Sequence, residues 1–261
     1  MDPLPSPGLP APPEHWALFL DVDGTLVEIA DRPQEVRIPP SLRGLLVELR
    51  TALDDALALV SGRALADLDT LFAPLVLPAV GTHGLELRDA DLTIHRPTLP
   101  REWPVLRKRF EDFARGRDGV LLEDKGASLA LHYRLAPWQQ RPVEQEIRAA
   151  RALLGAPATV QLGKMVAEVR WGTRTKGDGI RTLMGRAPFA GRTPVFLGDD
   201  ETDQAGFAAV NALEGLSIHV GATDPGVARY HLSGVVAVYD WLRDLLNARS
   251  TTLDSSPDPN A

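Results

Sequence analysis

Five short, mainly apolar runs constrain this chain most: residues 16–20, 56–60, 77–80, 195–197 and 216–220, each stopping at small or polar residues. Continuous runs of that length fit strands of a parallel sheet buried on both faces. Between them, residues 41–54, 64–72, 176–184 and 203–213 repeat apolar positions at helical spacing. Strand–helix alternation of this kind predicts an α/β fold with a doubly wound, mostly parallel sheet.

The middle of the chain breaks that rhythm. Residues 119–123, 128–134, 159–162 and 165–170 have strand character, with turn signals at Lys125-Gly126 and Gly163-Lys164 and a helical stretch at 139–154. Two strands, a helix and two strands predict a small α+β cap inserted at 100–170 into a core made of 14–99 and 171–249. Residues 1–13 hold six prolines and read as a disordered arm, and 250–261, rich in Ser, Thr, Pro and Asp, as a tail.

Composition excludes several classes of function. With 28 basic and 35 acidic residues the net charge is −7, so no basic field favours nucleic acid or an anionic membrane. There is no cysteine, hence no disulfide, thiol nucleophile or cysteine-ligated metal. The longest apolar stretch, 71–80, is about half a bilayer span and contains Pro74 and Pro78. The start has an acid but no base ahead of any apolar segment, unlike a signal peptide. A soluble, cytoplasmic, monomeric protein is expected. Of the 28 basic residues only Lys108, Lys125, Lys164 and Lys176 are lysine, so a compact ammonium is of interest wherever one persists.

The chemistry lies where strands end. In FLDVDGTLV (19–27) an apolar run passes straight into Asp21, Asp23, Gly24 and Thr25. Four specified residues at ~5–7% usage arise by chance roughly once per 10⁵ windows. Two carboxylates at i and i+2 share a face and repel, so something positive belongs between them. A capped Asp-Gly turn accounts for Gly24 but not for Asp21. In VFLGDDETD (195–203), Asp199, Asp200 and Asp203 need a cation or a helix N-terminus to offset their repulsion. Helix capping by Asp200 or Thr202 is the plainer alternative. Hard oxygen ligands without cysteine or paired histidines favour Mg²⁺ over zinc. LVSGR (59–63) sets Ser61 and Gly62 between a strand and a helix, where they hold a phosphate or where Ser61 simply caps the helix. Lys176 in TRTKG re-enters the core after the cap, either as a surface lysine or as the site's ammonium. A metal, a carboxylate nucleophile, a hydroxyl and an ammonium at the carboxyl ends of parallel strands make a phosphoryl-transfer site.

These motifs, in the order DVDGT (21–25), SGR (61–63), Lys176 and GDDETD (198–203), resemble the haloacid dehalogenase superfamily of phosphohydrolases with an α/β cap. VGTHG (80–84), EDKGASLALHYR (123–134), GKMVAEVR (163–170) and FAAVNAL (207–213) narrow the resemblance to trehalose-6-phosphate phosphatases. The resemblance implies Asp21 as the nucleophile and Asp23 as the acid–base. It implies Ser61 and Lys176 on the phosphate oxygens, and Mg²⁺ held by Asp21, the Asp23 carbonyl and Asp199 with Asp200 and Asp203 in support. It implies a small-molecule sugar phosphate contacted by Thr25, Gly62, Arg63, His83, Gly84, Glu123, Lys125, His132, Lys164 and Glu168. Position 204, an acid in the family, is Gln here. An acid there is expected to support the metal's outer shell, so Gln204→Glu is expected to tighten metal binding.

Three readings compete: a phosphatase of trehalose 6-phosphate, one acting on another sugar phosphate, and a weakly catalytic binding protein suggested by Gln204. A receiver-type phosphoacceptor spans about half this length and lacks Asp-x-Asp-Gly-Thr. In the cap, Glu123, Lys125 and Glu168 are expected to meet sugar hydroxyls rather than stand as solvated charges. His15, His95, His219 and His231 have no ligand-like spacing and are expected to be structural.

Overall fold

The computed structural model describes Leu9, residues 15–30 and residues 35–254. Apart from Leu9, the expected arm lies outside the described residues, as does 255–261 of the expected tail. The chain divides into two compact units, Met1–Thr93 with Thr175–Ala261, and Ile94–Arg174.

The first unit opens with β1 (Trp16–Leu20), α1 (Pro40–Ala52), β2 (Leu57–Val60), α2 (Leu65–Phe72), β3 (Ala79–Gly81) and β4 (Glu86–Arg88). The second unit holds β5 (Ile94–His95), α3 (Trp103–Arg115), β6 (Leu121–Asp124), β7 (Ser128–His132), α4 (Gln140–Leu154), β8 (Ala158–Gly163) and β9 (Val166–Trp171). The chain then returns to the first unit through α5 (Lys176–Met184), β10 (Thr193–Gly198), α6 (Gln204–Ala212), β11 (Leu216–Val220), β12 (Tyr230–Leu232) and α7 (Val235–Asp254).

Strands of the first unit lie in the order β12-β11-β10-β1-β2-β3-β4, every neighbouring pair parallel except β3 with β4. The doubly wound, mostly parallel sheet expected from the apolar runs is what forms. Along β1 the side chains divide between two cores. Trp16, Leu18 and Leu20 pack with Leu42, Leu46, Leu68 and Leu242 on one face, while Ala17 and Phe19 pack with Ile180, Leu183 and Phe207 on the other. Both faces are buried, which is why β1 and β2 read as unbroken apolar runs instead of alternating ones, while β11 breaks its run with buried Ser217 and His219. The terminal helix continues to Asp254, so residues 250–254 are helical where a tail was expected. Its Trp241 stacks on Trp16 with ring centroids 5.8 Å apart.

The second unit is a four-stranded antiparallel sheet in the order β6-β7-β9-β8, two hairpins side by side with α4 between them in sequence. Its faces differ. Leu129, Leu131, Ala167 and Val169 pack on Trp103, Leu106, Phe110, Val143 and Ile147. The alternate positions are Glu123, Ser128, Ala130, His132 and Glu168, with Glu123, Ala130, Glu168 and Gln161 aligned as one row across the four strands. Helix α3 goes beyond the expected elements, although Trp103, Leu106 and Phe110 recur at helical spacing ahead of a basic C-terminus. The second hairpin turns at Lys164-Met165, one residue later than expected, with Met165 in the left-handed region at φ 62°.

Candidate active site

Asp21, Ser61, Thr82 and Asp199 each follow directly on the last residue of β1, β2, β3 and β10, at the carboxyl edge where open α/β sheets bind ligands. Lys176 is the first residue of α5, fixed by a reciprocal cap: Asp178 N–H donates to Thr175 Oγ1 at 3.2 Å and Thr175 N–H to Asp178 Oδ2 at 2.8 Å. A Cβ on Gly177 would lie 2.1 Å from the Ala205 carbonyl oxygen, so glycine there lets α5 approach α6 closely.

Lys176 is 3% exposed, which rules out the surface-lysine reading. Its ammonium donates to Asp21 Oδ1 at 2.8 Å and to Asp203 Oδ1 at 2.7 Å. The other oxygen of Asp203 accepts the backbone N–H groups of Asp199 (3.1 Å) and Asp200 (3.3 Å). Asp203 is thus a fully buried hub that orients the acidic loop. One carboxylate oxygen from each of Asp21, Asp199 and Asp203 falls within 4.8 Å of the others.

Three carboxylates against one ammonium leave an excess of negative charge in a desolvated place. Burial, with Asp199 adding to it, lifts the Asp21 carboxyl to about 7 against the pull of Lys176. Burial, then Asp200 and Asp203, lift Asp199 likewise to about 7. Burial also holds Asp203 well above the usual carboxylate range. Burial works against the charge on Lys176, but Asp203 and Asp21 outweigh it and raise its pKa. A hard divalent cation removes this conflict, and the all-oxygen donor set suits one. Gly24 supports the same fit. It sits at φ +84°, and a Cβ there would lie 2.0 Å from Asp199 Oδ2, so the absent side chain leaves the Asp199 carboxylate its place.

Asp23 and Asp200 are engaged differently. Arg63 grips Asp23 in a fork, Nε to Oδ2 at 2.7 Å and Nη2 to Oδ1 at 2.6 Å. Asp200 caps the 3₁₀ turn Glu201–Asp203, accepting from Thr202 N–H at 2.9 Å and Thr202 Oγ1 at 2.7 Å. Burial opposes its charge, but Lys176 and the Thr202 bonds hold its carboxyl below the ordinary value. Ser61 Oγ accepts from Arg63 N–H at 3.2 Å instead of capping α2, whose first N–H goes to buried Glu86 at 2.8 Å. Thr25 is buried, and its Oγ1 has no hydrogen-bond partner among the described residues. His83 donates its N–H to the Ser61 carbonyl at 3.0 Å, and a Cβ on Gly62 would meet its ring at 2.4 Å. Gly84, at φ +108°, lies against the Thr175 backbone just ahead of Lys176. Thr82 and His83 are consecutive non-glycine residues in the left-handed region, at φ 47° and 53°. Such strain costs on the order of 1 kcal/mol each and persists where the surroundings impose it.

The family model for trehalose-phosphatase matches residues 19–235, a span containing all of these residues. The chain belongs to the trehalose-phosphatase family. Among its curated relatives, a probable trehalose-phosphate phosphatase of Sinorhizobium fredii is 42% identical over 235 residues, covering 90% of this chain and 88% of the relative. The trehalose-6-phosphate phosphatase of Escherichia coli K12 is 40% identical over 237 residues, 89% and 87% of the two chains. A solved structure of a trehalose-6-phosphate phosphatase related protein superposes with a TM-score of 0.77 at 25% identity, covering 90% of this chain and 99% of the other. The fold is shared with a solved phosphatase of the haloalkanoate (HAD) enzyme superfamily from Bacteroides thetaiotaomicron, with a TM-score of 0.56 at 17% identity over 88% of this chain and 94% of the other.

Within this trehalose-phosphatase relative, the second unit gathers its own polar cluster. Glu123 Oε2 lies 2.7 Å from His132 Nε2, and Lys125 Nζ stands 3.6 Å from both Glu123 and Glu168. Ser128 Oγ donates to Glu168, both residues being buried. Burial disfavours the charge on Lys125, yet Glu168 and Glu123 more than offset it and raise its pKa. Lys164 is exposed in the β8–β9 turn.

Gln204 is engaged away from the carboxylate cluster. Gln204 Nε2 donates to the Pro225 carbonyl at 3.3 Å, and its Oε1 accepts from Val227 N–H at 2.9 Å. The carboxamide thus works as a clamp on the loop after β11, a task needing both a donor and an acceptor. Several supporting residues escape sequence reading. The Thr-x-x-Asp of 175–178 is a readable capping box. Glu86 and Thr223 carry no local signal, because their partners are distant in sequence.

Proposed function

We propose that this protein hydrolyses trehalose 6-phosphate to trehalose and phosphate through a phosphoryl group carried on Asp21. The observation that carries this reading is the buried Lys176 ammonium shared by Asp21 and Asp203. It holds the nucleophile's carboxylate in a fixed direction and adds positive charge where a phosphate would arrive. An Asp21 carboxylate oxygen attacks phosphorus, and the bond from phosphorus to the sugar oxygen breaks. Asp23, released from Arg63 and protonated from solvent, gives that proton to the departing sugar oxygen. In the second step Asp23 takes a proton from water, the water oxygen attacks phosphorus, and the Asp21 carboxylate is restored with release of phosphate.

Ser61 Oγ, Lys176 Nζ and the backbone around Gly62 hold the equatorial oxygens, with Thr25, Arg63, His83 and Gly84 shaping that subsite. Mg²⁺, held by Asp21, the Asp23 carbonyl and Asp199 with Asp200 and Asp203 in support, would supply charge neutralisation and alignment of the phosphate. In the second unit, Glu123, Lys125 and Glu168 take sugar hydroxyls, with His132 and Lys164 alongside. Carboxylates accept from paired hydroxyls and an ammonium donates to their oxygens.

None of the described helices is long and apolar enough to cross a membrane. A cytoplasmic, monomeric enzyme is the corresponding proposal, supported by a charged substrate that membranes do not pass freely. Phosphate release from trehalose 6-phosphate, with and without Mg²⁺ after EDTA treatment, tests the reading. Mg²⁺-dependent turnover on that substrate, well above turnover on sucrose phosphate, is expected; no turnover, or a preference for the other sugar, would overturn it.

A further inference from the structure

The loop 221–229 between β11 and β12 contributes nothing to the chemistry above, yet side chains bind it to the acidic loop. Thr223 Oγ1 donates to the Asp199 carbonyl at 3.0 Å and lies 3.0 Å from His219 Nε2. A hydroxyl has one proton. With that proton committed to Asp199, Thr223 Oγ1 can only accept from the ring, so His219 carries its hydrogen on Nε2. The other ring nitrogen then bears a bare lone pair. Nδ1 is indeed buried, with no hydrogen-bond partner among the described residues, where a polar N–H would be costly.

The ring is rigidly seated. His219 is fully buried on β11, in register with Gly198 of β10 on one side and His231 of β12 on the other. It stacks on the His231 ring at 5.9 Å and meets Phe207 edge-on at 6.3 Å. His231 Nε2 in turn lies 2.5 Å from the Gly221 carbonyl, so the start of the loop is held as well. Gln204 secures its far end at Pro225 and Val227.

The peptide between Asp199 and Asp200 is thereby held at both of its polar groups. Its carbonyl takes the Thr223 hydroxyl, and its N–H, on Asp200, goes to Asp203 Oδ2. A peptide plane pinned on both edges cannot rotate, and the direction of the Asp199 side chain follows from it. We infer that Thr223, backed by His219, is a positioning residue that aims the Asp199 carboxylate at the cation. This inference rests on the cation reading of Asp199 proposed above.

Thr223 is exposed, so in its variants water can stand in for the hydroxyl both at the Asp199 carbonyl and at His219 Nε2 and folding is spared, while the fixed orientation is lost. The test is Mn²⁺ binding to EDTA-stripped protein, read from the free-ion electron paramagnetic resonance signal, with thermal midpoints in parallel. Thr223→Val and Thr223→Ala should each weaken Mn²⁺ binding about tenfold. Thr223→Ser, which keeps the hydroxyl, should stay within about twofold of wild type, and all three midpoints within about 2 °C of it. Binding unchanged in the Val and Ala variants, or weakened as much in the Ser variant, would overturn the inference, as would midpoints that fall in step with binding. Wild-type protein that binds no Mn²⁺ would instead remove the cation reading, and this one with it.

Discussion

Lys176 and Lys125 are each flanked by two carboxylates, and their surroundings make them opposites. Lys176 and its two partners are buried, at 2.8 and 2.7 Å, with a third, half-buried acid, Asp199, close by. Lys125 stands 3.6 Å from both of its partners, and Ser128 and His132 share the load on those acids. The first cluster is tight and overcharged, so it gains from a further cation. The second sets two carboxylates against its ammonium at longer range, and its acids already take a hydroxyl and an imidazole as partners, which is the kind of contact a sugar hydroxyl would replace in the proposed complex. In the proposed reading, catalytic charge and recognition charge are built from the same residue types and differ in spacing.

The largest effect should come from the tight cluster. Asp21→Asn keeps the shape and removes the nucleophile, so turnover should fall by about 10³-fold or more while circular dichroism is unchanged. Measurable wild-type-like turnover would move the nucleophile elsewhere. Lys176→Met leaves two buried carboxylates without their cation and should cost about 3–5 kcal/mol in urea unfolding of the metal-free protein. A loss below about 1 kcal/mol would place Lys176 among ordinary surface pairs.

The loose cluster should respond by substrate and not by stability. Glu168→Ala should lower kcat/KM on trehalose 6-phosphate by about a hundredfold, yet change p-nitrophenyl phosphate hydrolysis only a few-fold, since that ester has no second sugar to hold. Equal losses on both substrates would erase the division between the two lysine clusters.

A smaller, pH-linked effect belongs to the tight cluster alone. Asp21 and Asp199 are raised to about 7 when folded, against about 4 when unfolded. The folded protein therefore binds more protons between those values, and their contribution to stability falls as pH rises through that window. Metal-free wild type should lose stability from pH 5 to 7.5 relative to Asp199→Asn, and saturating Mg²⁺ should abolish the difference. Parallel pH profiles for the two proteins would break the assignment. The smallest effect concerns Gln204→Glu, which removes the donor to Pro225 and should cost about 1 kcal/mol. Tighter cation binding in that variant would return position 204 to the metal's surroundings.

The apolar runs and the helical spacings between them made the first unit legible, because burial on both faces leaves a mark in the local sequence. The strand-end aspartates were legible for a different reason: acids are rare where a buried strand stops. The edges were harder. β4, β12 and α7 take their places from packing partners far away in the chain, and α3 presents a charged majority that obscures its apolar stripe. In the site, Arg63 on Asp23 and Gln204 on the β11–β12 loop are contacts between residues 40 and 21–23 positions apart, which no spacing rule encodes. The Asp200 cap shows that one residue can satisfy the plain reading of a motif while its neighbours carry the chemistry.

Glu123 and Glu168 stand in one row of the small sheet with Ala130 between them. Adjacent strands are ~4.8 Å apart, so the backbones bearing the two acids are separated by two strand spacings, roughly 10 Å. That interval is set by hydrogen-bonded β-structure and cannot drift, which would make the sheet a ruler for the sugar hydroxyls proposed to bind there. Ala130 is the blank mark on it. Ala130 is fully buried and Lys125 Nζ stands 3.6 Å from both acids, so lengthening that one side chain would press on the ammonium between them without changing either carboxylate.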